Sequence, residues 1–237
     1  MKILIELPTW LGDTVMVTPA IENILNHYDN PEITFLGSFT SLEVLKHCPG
    51  VVKTEVLKKN YISIYAIVKN LGKFDIYFSF RGSIRSKIIK LFISSKEKYQ
   101  FKKNIYQNCH QVEKYNRFVN HCLNTNFKAG KLNIFSNLKN SPSKSLQTIG
   151  INPGASYGEA KRWNPEGFAG VCEKLSGHYN ILIFGGPNEE DIATDIEKIL
   201  LDKGISNYRN LAGKTSISEL SLIHISEPTR RTPISYA

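Results

Sequence analysis

The chain has 237 residues, enough for one large domain or two smaller ones, and its 41% hydrophobic and 22% charged residues suit a packed core, which excludes disorder, collagen and coiled coil. The longest nearly uncharged apolar stretches, Ile88–Ile93 and Ile181–Phe184, fall far short of the ~20 residues that cross a bilayer, so no membrane-spanning segment is expected. A net charge of +9 favours a polyanionic partner: nucleic acid, an anionic membrane surface or a phosphorylated substrate.

From the N-terminus, Lys2–Leu7 reads as a buried strand. Glu6 within that run and the lack of a small-residue cleavage site argue against a secretory signal, and the expected location is cytoplasmic. Thr14–His27 reads as a helix with Val15, Ala20, Ile21, Ile24 and Leu25 inside, entered through the turn Pro8–Asp13. There Asp13 takes an N-cap or first-turn position. Strand-like runs at Glu32–Leu36, Val51–Leu57 and Asp75–Phe80 then alternate with helix-like runs at Ser41–His47, Ile62–Leu71 and Ile84–Phe92. This alternation predicts an α/β fold with a parallel sheet. Cys48, Cys109, Cys122 and Cys172 are widely separated and form no C-x-x-C pair, so they read as packing thiols. His27, His47, His110, His121 and His178 show no metal-ligand spacing.

Around Asn133–Gln147 the sequence turns polar and broken, as in a linker. The pattern then restarts: Thr148–Asn152 as a strand, Pro165–Leu175 as a helix, Asn180–Phe184 as a strand, Glu189–Leu201 as a helix and a short run at Asn207–Leu211. The expected organisation is an N-terminal domain over 1–135, a linker over 136–147 and a partial second domain over 148–219. In open α/β sheets ligands bind at the carboxyl ends of strands, where Pro8–Asp13 and Asn152–Ser156 both fall, so a ligand held between two Rossmann-like domains is expected. The last segment, 220–237, is read as a non-native tail. In one reading frame a widely used transposase sequencing adapter encodes Leu220–Arg230 (LSLIHISEPTR) residue for residue, and its constant bases beyond the index encode Ile234–Ala237.

The loop P-T-W-L-G-D at Pro8–Asp13, followed by Thr14 and Ala20-Ile21, resembles the N-terminus of bacterial heptosyltransferases, glycosyltransferase family 9. The second half carries the resemblance further: N-P-G-A-S at Asn152–Ser156, K-R-W at Lys161–Trp163, the Phe184–Pro187 turn with Glu189-Glu190 after it, and N-L-A-G-K-T at Asn210–Thr215. It covers roughly residues 1–219, in order and spacing, and is nearest to the ADP-heptose:lipopolysaccharide heptosyltransferase II branch. What the resemblance implies is a GT-B architecture of two Rossmann-like domains, with the second incomplete here. It further implies inverting, metal-independent transfer of heptose from ADP-heptose to a lipopolysaccharide inner core, with no cofactor beyond the donor.

Asp13 matches the family's general base, and a carboxylate at this point is otherwise a helix cap. Gly12 matches a glycine that lets the backbone approach the donor sugar, or is a turn glycine. Ser156 and Lys161 match contacts to the donor diphosphate, where a fixed ammonium and a hydroxyl stabilise the departing charge; Lys161 alone reads better as a surface lysine, and the K-R-W context is what favours the contact. Glu189 matches an acid near the nucleotide's ribose or adenine, or caps a helix. Arg81, Arg85 and Lys87, just past a predicted strand, are candidates for the phosphates and carboxylates of the acceptor, or a solvated helix face. Lys90, Lys96, Lys98, Lys102 and Lys103 extend this basic stretch with Tyr99 and Phe101 interleaved, suiting peripheral contact with the inner face of the inner membrane. Nucleic-acid binders share that composition, but no nucleic-acid motif accompanies it, and no nucleic-acid partner is expected.

One departure from the family is plain: no D-S-G-P-M-H-like loop follows Thr215, and with it goes a helix N-terminus suited to pyrophosphate. The 237-residue chain is therefore expected to be a C-terminally truncated, inactive form. Two other readings stand beside the heptosyltransferase: a GT-B-like nucleotide-sugar epimerase, separated by ADP-heptose consumption, and a non-catalytic basic anion-binding module, separated by salt-dependent binding to random DNA.

Overall fold

Ile3, Leu4 and Ile5 are each wholly buried, and a strand apolar on both faces belongs at the centre of a parallel sheet. The run forms β1 (Lys2–Glu6) and pairs in parallel with β2 (Glu32–Gly37) on one side and β4 (Lys73–Ser79) on the other. β3 (Val51–Val56) and β5 (Ser94–Gln100) are the edges of a five-stranded parallel sheet of order β3-β2-β1-β4-β5. The strand order reverses at β1, so the carboxyl ends of β1 and β4 form the topological switch point. This computed structural model describes residues 1–58, 60–106, 108–135, 147–154, 162–217 and 219–220.

The connections are helices α1 (Leu11–Met16), α2 (Thr18–His27), α3 (Phe39–Leu45), α4 (Tyr61–Asn70) and α5 (Ile84–Phe92), with α6 (Gln111–Leu123) after β5. On one face Leu4, Leu36 and Tyr77 pack with Ile64 and Val68 of α4 and Ile89 of α5. On the other an aromatic cluster of Phe78, Phe80, Phe101, Tyr106, Tyr115 and Phe118 fastens α6 to the sheet through edge-on ring contacts.

The single helix expected over Thr14–His27 is two. α1 starts three residues earlier, at Leu11, and stops at Val17, whose N–H bonds to the Asp13 carbonyl; α2 restarts at Thr18, with Pro19 in the first turn, where its missing N–H costs nothing. β5 and α6 are additional to the elements expected from the sequence. β5 is a charged edge strand, SSKEKYQ, in which charge guards against edge pairing and hides the alternation.

The chain divides into two compact units, Met1–Lys139 and Asn140–Ala237. The second unit holds β6 (Thr148–Ile151), α7 (Pro165–Ser176), β7 (Asn180–Ile183), a 3-10 turn (Pro187–Glu189), α8 (Glu190–Asp202) and β8 (Tyr208–Asn210). Its strands are parallel in the order β6-β7-β8 and share a core of Ala169, Cys172, Ile181, Ile183, Ala193, Ile196 and Leu200. Asn164 caps α7 by accepting the Gly167 N–H at 2.9 Å, with Pro165 at the first helical position. Of the expected linker 136–147, residues 136–146, and of the adapter-like segment 220–237, residues 221–237, lie outside the described residues. Among the described residues no helix is long and apolar enough to cross a membrane.

Candidate active site

In the first unit, the chain leaving β1 is clamped from below. The Pro8 carbonyl accepts the Ser41 hydroxyl at 2.7 Å, the Thr9 carbonyl accepts that of Ser38 at 3.1 Å, and the Trp10 carbonyl accepts the Thr14 hydroxyl at 3.0 Å. Hydroxyl side chains from the starts of α1 and α3 thus convert loop carbonyls into fixed points. Held in this way, the loop presents Trp10, 59% exposed, and starts α1 with Asp13 in its first turn, half-buried. Trp10 occupies the N-cap position without a side-chain cap bond, so Asp13 is not the N-cap. Tyr115 of α6 lies within electrostatic reach: burial, and secondarily the Asp13 charge, push its phenol up to about 12. A Cβ added at Gly12 would meet nothing within 4 Å, so nothing inside the fold demands glycine there.

Beside this loop, β4 ends at Ser79 and is followed by Phe80 and Arg81. Glu6, the last residue of β1, is wholly buried and accepts the hydroxyls of Tyr77 and Ser79 at 2.6 Å each and of Ser86 at 2.8 Å; Arg81 Nη1 stands 3.7 Å from it. Arg85 donates from Nη2 to the Lys58 carbonyl, and Lys87 lies exposed on α5. The three basic candidates therefore differ: Arg81 turns inward to Glu6, Arg85 ties α5 to the chain after β3, and Lys87 faces solvent. The basic and aromatic stretch beyond them does not form one patch. Phe101 is buried in the aromatic cluster, Tyr99 stacks on Phe78 and donates its hydroxyl to Glu97, and Lys96 is paired with Asp75 at 2.7 Å. Alternate residues of an edge strand point to opposite faces, which a linear reading of the composition misses.

In the second unit, loops from all three strand ends touch one another. Glu189 Oε2 accepts the Gly186 N–H at 2.7 Å, and the carboxylate lies so near Gly154 that a Cβ there would come within 2.0 Å of Glu189 Cδ. Gly213, at φ +69°, stands against the Glu190 carboxylate, and a Cβ on Gly185 would meet that of Ala212 at 3.3 Å. Glycines let three loop backbones converge on a pair of carboxylates, Glu189 and Glu190. Glu189 both closes the turn after β7 and lies at this convergence. Ser156 and Lys161 lie outside the described residues. Trp163, which follows Lys161-Arg162, packs on Phe168 with ring centroids 5.4 Å apart. Among the described residues no three His, Cys, Asp or Glu side chains gather as a metal site.

Glu6 is the residue that sequence reasoning misses. Its signal is present: an acid in a strand whose neighbours are all apolar has to be satisfied by something, here three hydroxyls and a guanidinium.

Comparison with known proteins bears on the family and the fold. The profile of glycosyltransferase family 9 (heptosyltransferase) matches residues 64–224. A lipooligosaccharide heptosyltransferase 2 of Campylobacter jejuni is 39% identical over 229 residues, an alignment that takes in 93% of this chain and 70% of the relative. The chain also superposes on the E. coli ADP-heptose lipopolysaccharide heptosyltransferase II with a TM-score of 0.71 at 20% identity, covering 94% of this chain and 76% of that one. On an E. coli heptosyltransferase with ADP-2-deoxy-2-fluoro heptose the TM-score is 0.76 at 13% identity, covering 94% and 79%. The fold is therefore α/β of the GT-B type.

Proposed function

Because the chain belongs to glycosyltransferase family 9, we propose that it transfers heptose from ADP-heptose to a lipopolysaccharide or lipooligosaccharide inner core, with inversion at the anomeric carbon and without a metal ion. The acceptor binds the first unit and the donor the second. An acceptor hydroxyl oxygen attacks the anomeric carbon, its proton passes to the Asp13 carboxylate, and the bond from that carbon to the ADP oxygen breaks with the electron pair leaving on ADP. The observation that carries this reading is the position of Asp13: a half-buried carboxylate in the first turn of α1, above a loop whose carbonyls are fixed by Ser38, Ser41 and Thr14. Fixing that loop keeps the base in place while the acceptor arrives.

On the donor side, the reading assigns Gly12 to close approach of the sugar, Ser156 and Lys161 to the diphosphate, and Glu189 to the nucleoside. Arg81, Arg85 and Lys87 are assigned to the anionic acceptor, whose lipid anchor brings the enzyme to the inner face of the inner membrane. The test uses an extended chain in which everything after Thr215 is replaced by the matching C-terminal segment of the Campylobacter jejuni relative. Heptose-deficient lipopolysaccharide and ADP-heptose are supplied, and released ADP and the mass of the acceptor are measured with and without EDTA. One heptose added per ADP, unaffected by EDTA, is the expected result. ADP-heptose left intact, or converted to another sugar nucleotide without acceptor, sinks the reading.

A further inference from the structure

Glu6 is an expensive residue to place at the centre of a sheet. A carboxylate taken out of water is costly, and an apolar side chain such as those of Ile3, Leu4 and Ile5 would fill the position without that cost. Stability alone does not account for it.

The carboxylate's surroundings show what it controls. Of its roughly four acceptor positions, three are taken by hydroxyls: Tyr77 and Ser79 on Oε2 and Ser86 on Oε1. The remaining side faces Arg81 Nη1 at 3.7 Å. These donors come from β4 and from the first turn of α5, so they fix the carboxylate in position on two elements at once. Arg81 is pinned at its backbone as well: its N–H reaches Ser79 Oγ at 3.3 Å and its carbonyl accepts the Gln100 side-chain amide at 3.1 Å. The Arg81 side chain is only 15% exposed, yet among the described residues its guanidinium meets no acceptor other than Glu6. A planar five-donor group thus faces the carboxylate at ion-pair rather than hydrogen-bond distance, with its donors unmatched among the described residues.

We propose that Glu6 is a positioning residue that holds the Arg81 guanidinium at the β1–β4 switch point as a preformed receptor for an oxyanion, a phosphate or carboxylate of the acceptor. The proposal rests on the reading that the first unit takes an anionic acceptor. Because the fork is oriented before the ligand arrives, the ordering cost of a long side chain is met by the fold. Tyr77 is well suited to hold the carboxylate: burial, then the adjacent Glu6 charge, keep its phenol well above its ordinary range, so it stays a donor.

The experiment uses the 237-residue chain with arginine side-chain Nε–H groups followed by NMR and inorganic phosphate as the probe. In the unmodified chain the Arg81 Nε–H signal is expected to be dispersed and protected from solvent exchange, and to shift saturably with phosphate; an averaged, free-arginine signal overturns the proposal without any variant being made. Glu6→Gln keeps the side chain's shape and should weaken phosphate binding by about tenfold or more and collapse the Arg81 signal to the averaged position. Arg81→Gln should match it in phosphate affinity, and the double variant should be no weaker than Arg81→Gln alone. Should Glu6→Gln fail to fold, Glu6→Leu, which leaves no amide to satisfy, replaces it. A folded Glu6 variant that binds phosphate as the unmodified chain does overturns the proposal. Transfer by the extended chain is read separately: loss of heptose transfer with Arg81 still binding phosphate counts against the acceptor reading and leaves the Glu6–Arg81 receptor standing.

Discussion

A single methyl group tests the geometry of the second unit. In Gly154→Ala the new Cβ would lie 2.0 Å from Glu189 Cδ and 2.2 and 2.4 Å from its two oxygens, closer than any real contact. Either the loop after β6 or the carboxylate has to move, and the end of a glutamate side chain is the softer of the two. Its displacement breaks the 2.7 Å bond from the Gly186 N–H that closes the turn after β7. A hydrogen bond to a charged group is worth ~1.5–3 kcal/mol, and because Glu189 is half-exposed the loss should fall at or below the lower end, ~1 kcal/mol. For a unit of this size that corresponds to a melting shift of roughly 4–8 °C. With Trp10→Phe in the background, Trp163 is the sole tryptophan and its fluorescence reports unfolding of the second unit. The decisive form is a double-mutant cycle: Gly154→Ala should cost nothing further in a Glu189→Ala background, because the atoms it strikes are gone. An equal cost in both backgrounds would mean that the clash is with backbone, and the proposed convergence of the two loops on Glu189 would be wrong.

Other perturbations reach further into each unit. Gly150→Ala places a Cβ 2.6 Å from the buried Phe184 ring, and such overpacking should destabilise the second unit by ~1–3 kcal/mol, read by the same Trp163 melting curve. Alkaline pH should unfold the first unit. Burial holds the Cys48 and Cys122 thiols and the Tyr115 phenol up to about 12, above ordinary values of 9.0 and 10.0, so the folded chain keeps protons that the unfolded chain releases. Stability from these groups is full below pH 9 and is lost as pH climbs towards 12, and urea midpoints that are flat across this window would refute it. At pH 8 a thiol reagent should label Cys109 first and leave Cys48, Cys122 and Cys172, raised by burial, slow. Equal labelling rates by mass spectrometry would contradict the packing described.

The sequence is most legible where one signal dominates. The apolar runs of β1, β2 and β4 and the amphipathic Ile84–Phe92 lie where periodicity puts them, because burial on a parallel sheet leaves few other arrangements. It is least legible where two signals compete. β5 reads as basic surface because its edge position favours charge. The break at Val17 is hidden because the apolar stripe continues through Val15 and Ala20 while the backbone does not. α6 carries Tyr115, Phe118 and Val119 at helical spacing, but Glu113, Lys114 and Arg117 among them mask it. In the site, Asp13 and Glu189 are legible only as members of the family motifs they match, since each also reads as an ordinary acid at the start of a helix. Glu6 cannot be found from its position alone, since its role depends on hydroxyls from Tyr77, Ser79 and Ser86, some 71 to 80 residues away along the chain.

The central claim is that Asp13 takes the proton as heptose passes from ADP to the acceptor. The most direct measurement compares single-turnover rates of heptose transfer by the extended chain and its Asp13→Asn variant at saturating ADP-heptose, with donor affinity measured separately by calorimetry. The account predicts a rate lower by ~10²–10⁴ with donor affinity little changed, since an amide keeps the shape of the carboxylate and cannot accept the proton. A variant that transfers heptose at nearly the unmodified rate would remove Asp13 from the reaction and contradict the account.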